Sequence, residues 1–159
     1  MSEYSVEVAL SRKDVSNTSM ATAKKKQFAA LPWRHSGAGI EVMLISSRDT
    51  GRWVIPKGWP ISGLTPPQTA AREAFEEAGL GGRIGKKPLG QFDYDKKLDD
   101  GSIQRCQVTV FGLESMIQHP EWPEQGQRNQ AWFSLGKAAN AVQEPGLAKI
   151  IRQLKDALD

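Results

Sequence analysis

The run Arg72-Glu73-Ala74-Phe75-Glu76-Glu77-Ala78-Gly79-Leu80 constrains this chain more than any other stretch. In a helix, residues three and four apart share a face, so Glu73, Glu76 and Glu77 come side by side. Like charges at that spacing repel by roughly 0.2–0.5 kcal/mol per pair. Such a run is ordinarily a solvated face, but a divalent cation would neutralise it better than Arg72 alone. Mg²⁺ takes carboxylate oxygens together with substrate phosphates rather than a closed protein cage. The stretch therefore reads as a metal platform for phosphate chemistry.

The flanking residues punctuate a helix. Thr65 is suited to the N-cap, and Pro66 and Pro67 fit a first turn that needs no N–H donors. Ala70, Ala71, Ala74, Phe75 and Ala78 supply helix propensity and an apolar side, and Gly79 suits a left-handed stop. Upstream, Arg52 to Pro56 reads as a short strand, followed by a loop over residues 57–63 that contains Gly58. The unit is strand, glycine-bearing loop and carboxylate helix.

Gly58, Arg72-Glu73, Glu76-Glu77, Gly79 and Leu80 resemble the Nudix box of Nudix hydrolases. One position departs: Leu64 stands where that pattern has a glutamate. Outside the box, Ile45 to Arg48, Arg52 to Pro56 and Trp132-Phe133 are similar to the branch that hydrolyses diphosphoinositol and diadenosine polyphosphates. The resemblance covers residues 25–142. It implies an α/β/α sandwich with a mixed central sheet, the box forming a loop-helix-loop, and Mg²⁺ or Mn²⁺ as cofactor. It also implies roles. Glu73 and Glu77 would be metal ligands, Glu76 a ligand or the water-activating base, and the Gly58 carbonyl a further ligand. Arg72 would act catalytically by orienting Glu76 or Glu77 through a salt bridge. Lys25, Lys26, Arg34, Ser46, Ser47, Arg48 and Arg105 match positions that line the polyphosphate site of the branch, and Lys57 adds a cation beside Gly58. Against inositol pyrophosphates stand Asn129-Gln130-Ala131, where the branch carries basic residues, and Glu144, where a lysine is expected.

The remainder agrees with a globular enzyme. At 159 residues the chain is long enough for one core. A net charge of +3 does not mark a nucleic-acid binder, so the expected partner is a small polyphosphate rather than nucleic acid or a membrane. No apolar run approaches the roughly 20 residues of a membrane span, and no N-terminal segment resembles a signal peptide. The single cysteine, Cys106, excludes an internal disulfide, fits a reducing cytoplasm and reads as a half-buried strand residue.

Residues 1–24 are polar and aperiodic, and are expected to be a flexible segment ahead of a domain over 25–159. Strands are expected at Phe28 to Leu31, Gly39 to Ile45, Leu89 to Tyr94, Arg105 to Leu113 and Ala131 to Phe133, with a hairpin at Asp99-Asp100-Gly101. Ser134 can cap a short helix. Pro145 opens another, in which Leu147, Ile150, Ile151, Leu154 and Leu158 form one stripe. Glu114, Glu121 and Glu124 are candidates to replace the oxygen lost at Leu64, and Trp33, Trp59 and Trp122 are candidates to stack on a base. Two other functions fit the same residues. One is cleavage of nucleoside-diphosphate conjugates such as ADP-ribose, and the other is a silent domain that binds nucleotide or RNA.

Overall fold

Runs such as Phe28-Ala29-Ala30-Leu31, Val42-Met43-Leu44-Ile45 and Val108 to Leu113 are apolar without alternation, as in strands buried on both faces. The computed structural model, which describes residues 23–158, places them in that setting. All but the last two residues of the segment 1–24 lie outside the described residues.

Strands β1 (Lys25–Ser36) and β2 (Gly39–Ser46) form an antiparallel pair that turns where Ser36 faces Gly39. Two short strands follow, β3 (Trp53–Val54) and β4 (Lys57–Gly58), then helix α1 (Pro66–Ala78) and strand β5 (Leu80–Ile84). Strands β6 (Gly90–Lys97) and β7 (Ile103–Gln118) form the predicted hairpin, and β8 (Gln130–Ser134) leads into helices α2 (Leu135–Ala141), α3 (Pro145–Arg152) and α4 (Leu154–Leu158). Among the described residues the mixed sheet has eight strands in the path β3-β2-β1-β7-β5, with β4 added to β1, β6 to β7 and β8 to β2.

Side-chain parity sorts the sheet into two packed faces. Ala29, Leu31, Val42, Leu44, Val108 and Val110 pack with Leu147, Ile150, Ile151 and Leu154 of α3 and α4. Their neighbours Ala30, Met43, Ile45, Phe111 and Leu113 pack with Ala70, Ala74 and Ala78 of α1. Helix, sheet, helix is the layering the resemblance implies.

Among the described residues, 95–106 and 23–25 form one compact unit, and 26–94 and 107–158 the other. Within the first Gly101, at φ +87°, makes the turn, with the Leu98 amide donating to the Ser102 carbonyl at 2.8 Å. Arg105 pairs with Asp95 at 3.2 Å.

Three local expectations need correction. Lys57 and Gly58 are strand rather than loop, because Gly58 and Lys57 pair with Phe28 and Ala29 of β1. The C-terminal stripe is two helices. The Gln153 amide is shared among the carbonyls of Lys149, Ile150 and Ile151, a tightened turn that neither proline nor glycine announces. Cys106 is fully buried rather than half-buried. No helix among the described residues is long and apolar enough to cross a membrane.

Candidate metal centre

The centre is built where the start of the sheet meets α1. Thr65 caps α1 reciprocally: the Gln68 amide donates to Thr65 Oγ1 at 3.3 Å, and the Thr65 amide donates to Gln68 Oε1 at 2.9 Å. At the other end Gly79 sits at φ +70°, with its amide donating to the Phe75 carbonyl at 2.9 Å. A side chain at Gly79 would also run into the Trp122 ring. Between these stops, Ala70, Ala74 and Ala78 are wholly buried and bring the helix close to the sheet. Glu73 and Glu77, one residue from that stripe, are carried inward with it.

Gly58 meets Glu73 directly. A Cβ on Gly58 would sit against the Glu73 carboxyl group, within 2.7 Å of both oxygens. Any larger residue there would force the Glu73 carboxyl to move. Glu77 is 7 % exposed and shares a hydrogen bond with Glu73. Burial, then the Glu73 bond, push the Glu77 carboxyl up to about 9, against the pull of Arg128 and Lys57. Burial raises Glu73 as well, helped by the charges of Glu76 and Glu124 and opposed by its bond to Glu77. Two adjacent carboxyls this reluctant to ionise hold a proton where a cation can take its place.

The donor set fits a hard divalent ion. Glu73 presents its oxygens beside the backbone of Gly58, Glu77 is hydrogen-bonded to Glu73, and Glu76 lies on the same helix. Among the described residues no three Asp, Glu, His or Cys side chains converge into a ready-made cage. Mg²⁺ does not need one, since it ordinarily keeps waters and substrate oxygens beside one or two carboxylates.

Gln118, the last residue of β7, and the segment 119–129 that leads to β8 wrap the end of α1. The Gln118 side-chain amide donates to the Ala78 carbonyl at 3.0 Å, and the His119 and Glu124 amides donate to the carbonyls of Gly79 and Glu76 at 2.8 and 3.0 Å. Of the three glutamates that could replace the oxygen missing at Leu64, Glu124 is the one brought here. Glu114 instead pairs with Arg83, and Glu121 is exposed. Arg72 is exposed and forms no ion pair among the described residues. The cation beside Glu77 is Arg128, at 3.6 Å.

The expected substrate cations are distributed unevenly. Lys57 lies close enough to influence Glu77, and its Nζ also stands 4.9 Å from the Tyr94 ring centroid. Lys26 is exposed, two residues from Phe28 and so on the same face of β1 as α1. Ser46 is committed to the wrapping segment: its Oγ accepts the Asn129 amide at 2.8 Å and its carbonyl accepts Arg128 at 3.2 Å. Ser47 Oγ accepts the amides of Asp49 and Thr50, closing the turn after β2, and Arg48 reaches Gln127 at 2.9 Å. Arg34 is taken by Glu41, at 2.8 and 3.0 Å, and lies over the Trp132 ring at 4.1 Å. Six residues separate it from Phe28, the partner of Gly58, which is about 20 Å along the strand. Lys25 and Arg105 belong to the smaller unit.

Of the three tryptophans that are candidates to stack on a base, Trp33 packs on the core opposite α1, Trp122 lies against Gly79, and Trp59 is exposed. A shallow cavity of about 370 Å³, lined by Trp33, Arg83, Lys86, Lys87, Leu89 and Leu158, includes no box residue. Sequence reasoning missed Arg128 as part of the centre. Its one sign was a basic residue lying just upstream of the place where the resembled branch carries its own.

Comparison with known proteins bears on the family and the fold. The model of the NUDIX domain family matches residues 24–154. A mitochondrial Nudix hydrolase 12 from Arabidopsis thaliana is 28% identical over 74% of this chain, which spans 61% of that protein's length. A diphosphoinositol polyphosphate phosphohydrolase 3-beta from Bos taurus is 29% identical, covering 82% of this chain and 78% of its own. The structure of a C. elegans Ap4A hydrolase superposes with a TM-score of 0.62 at 18% identity, covering 86% of this chain and all of that one. That last likeness speaks to fold.

Proposed function

The chain belongs to the NUDIX domain family, and on that premise we propose that it is a divalent-metal-dependent pyrophosphohydrolase acting on polyphosphorylated small molecules. The observation that carries the reading is the hydrogen-bonded Glu73–Glu77 carboxyl pair, with Glu73 set directly against Gly58. A phosphoanhydride is shielded from water by its own negative oxygens, so its hydrolysis needs charge neutralisation, an oriented water and a proton acceptor. Mg²⁺ or Mn²⁺ bound by Glu73, Glu77 and the Gly58 carbonyl, with Glu76 and Glu124 beside them, would neutralise phosphate charge and acidify water. Glu76, on the same helix but outside the shared pair, is the box carboxylate this reading assigns to orient the attacking water. Lys57 and Lys26 supply positive charge toward the phosphates, while Arg72 remains exposed beside the glutamates.

Dinucleoside polyphosphates and diphosphoinositol polyphosphates are the substrates this reading favours. The first rests on the fold shared with an Ap4A hydrolase, and the second on similarity to a diphosphoinositol polyphosphate phosphohydrolase. Commitment of Arg34 to Glu41 lowers the positive charge on offer and weighs toward the less highly charged dinucleotides. The test is incubation with Mg²⁺ and a panel of diadenosine tetraphosphate, ADP-ribose, capped RNA and an inositol pyrophosphate, with products resolved. Turnover of a polyphosphate that Glu77→Gln abolishes is the expected result. Ligand binding without turnover in either Mg²⁺ or Mn²⁺ would make this a silent binding domain.

A further inference from the structure

Among the described residues, Arg128 is the cation brought within ion-pair distance of Glu77 from outside the box. Its side chain is 12% exposed. Nε and Nη2 both donate to Glu124 Oε1, at 3.1 and 3.0 Å, Nη1 donates to the Ser46 carbonyl at 3.2 Å, and Nη2 stands 3.6 Å from Glu77 Oε1. One guanidinium therefore joins a strand end, the box helix and the wrapping segment. A buried arginine is tolerated only with such partners.

The backbone of this segment has anchors that do not involve Arg128. They include the Glu124 amide on the Glu76 carbonyl, and the Asn129 amide and carbonyl on Ser46. What Arg128 alone fixes is the side chain of Glu124 with respect to Glu77. We propose that Arg128 is a positioning residue for the metal centre, holding Glu124 beside Glu77 so that a carboxylate from outside the helix faces the bound ion. This rests on the metal-dependent reading above.

A purely electrostatic role predicts the opposite sign. A positive charge next to a cation site repels the cation, so neutralising it would tighten binding. A positioning role predicts weaker binding, and no rescue by lysine, whose point charge cannot reproduce a planar fork. The experiment titrates Mn²⁺ into the full chain by calorimetry, with thermal unfolding of each metal-free variant alongside. R128Q and R128K are each expected to weaken Mn²⁺ binding about tenfold, in the range seen when a residue orienting a metal ligand is lost. E124Q should match them. R128Q/E124Q should be no weaker than either single variant, since both remove one coupled arrangement. R83Q, which breaks the remote pair with Glu114, serves as control and leaves Mn²⁺ binding unchanged. Binding by R128Q as tight as the parent chain, or losses that multiply in the double variant, would overturn the proposal while leaving the metal-dependent reading intact. Absence of Mn²⁺ binding by the parent chain would overturn both.

Discussion

On one face the sheet meets the methyl groups of Ala70, Ala74 and Ala78 and, beside them, glutamates turned inward; on the other it meets Leu147, Ile150, Ile151 and Leu154. Both faces are closed, but by different means. The α3–α4 face excludes water with large aliphatic side chains and, among the described residues, its core cluster contains no charged side chain. The α1 face gives up that bulk, approaches closely and encloses a carboxyl pair that costs free energy unless protonated or metal-bound. Stability and chemistry are thereby lodged on opposite sides of one sheet.

That division can be broken in four ways. The largest effect is expected from Ile151→Ala, which should lower unfolding free energy by about 2–5 kcal/mol in denaturant titrations. Mn²⁺ affinity should stay within about twofold, as expected of distant independent sites, and a parallel loss of affinity would show that the faces are not separable. Second is pH. Glu77 has its folded-state value raised from 4.5 to about 9. A raised value means the folded state holds the proton more tightly than the unfolded one. Its contribution is therefore complete below 4.5 and is lost as pH rises through 9. Metal-free protein should lose stability between pH 6 and 9, at no more than about 1.4 kcal/mol per pH unit for one proton. Glu77→Gln should flatten that slope, and saturating Mg²⁺ should do the same. Melting curves at three pH values suffice, and a slope that survives Glu77→Gln would move its origin elsewhere.

Third, Gly58→Ala should weaken Mn²⁺ binding roughly tenfold, judged against losses at groups that orient metal ligands, because its Cβ displaces Glu73. Calorimetry at fixed pH reads this, and unchanged affinity would mean that Glu73 can retreat without cost. Smallest is Thr65→Ala, which removes a cap from α1 and should cost about 1 kcal/mol. If thermal unfolding shows no change, Pro66 and Pro67 alone hold that end.

Much of this was open to reading from the residues. Thr65, the paired prolines and Gly79 mark α1 because capping and left-handed termination are local chemistry. The three glutamates follow from helical spacing alone. Glu124 stood as one of three candidates the residues alone do not rank, and Arg128 did not announce its part, since both reach the centre from a segment some fifty residues downstream that has no periodicity. Ser46 and Arg34 carried the right chemistry for phosphate, yet tertiary packing and strand register gave them partners within the chain, Asn129 and Glu41. The division at Gln153 is a hydrogen-bond rearrangement among good helix formers, which propensity does not see.

The two-residue strand β4 fixes Gly58 to the sheet, whereas Glu73 and Glu77 ride on the helix. The gap into which an ion must fit is therefore a clearance between two separately anchored parts. Its width is set by Ala70, Ala74 and Ala78, which act as shims. Enlarging any of them would change the bore of the site without touching a ligand, and a population of such variants would be a graded series of ion sizes rather than of charges.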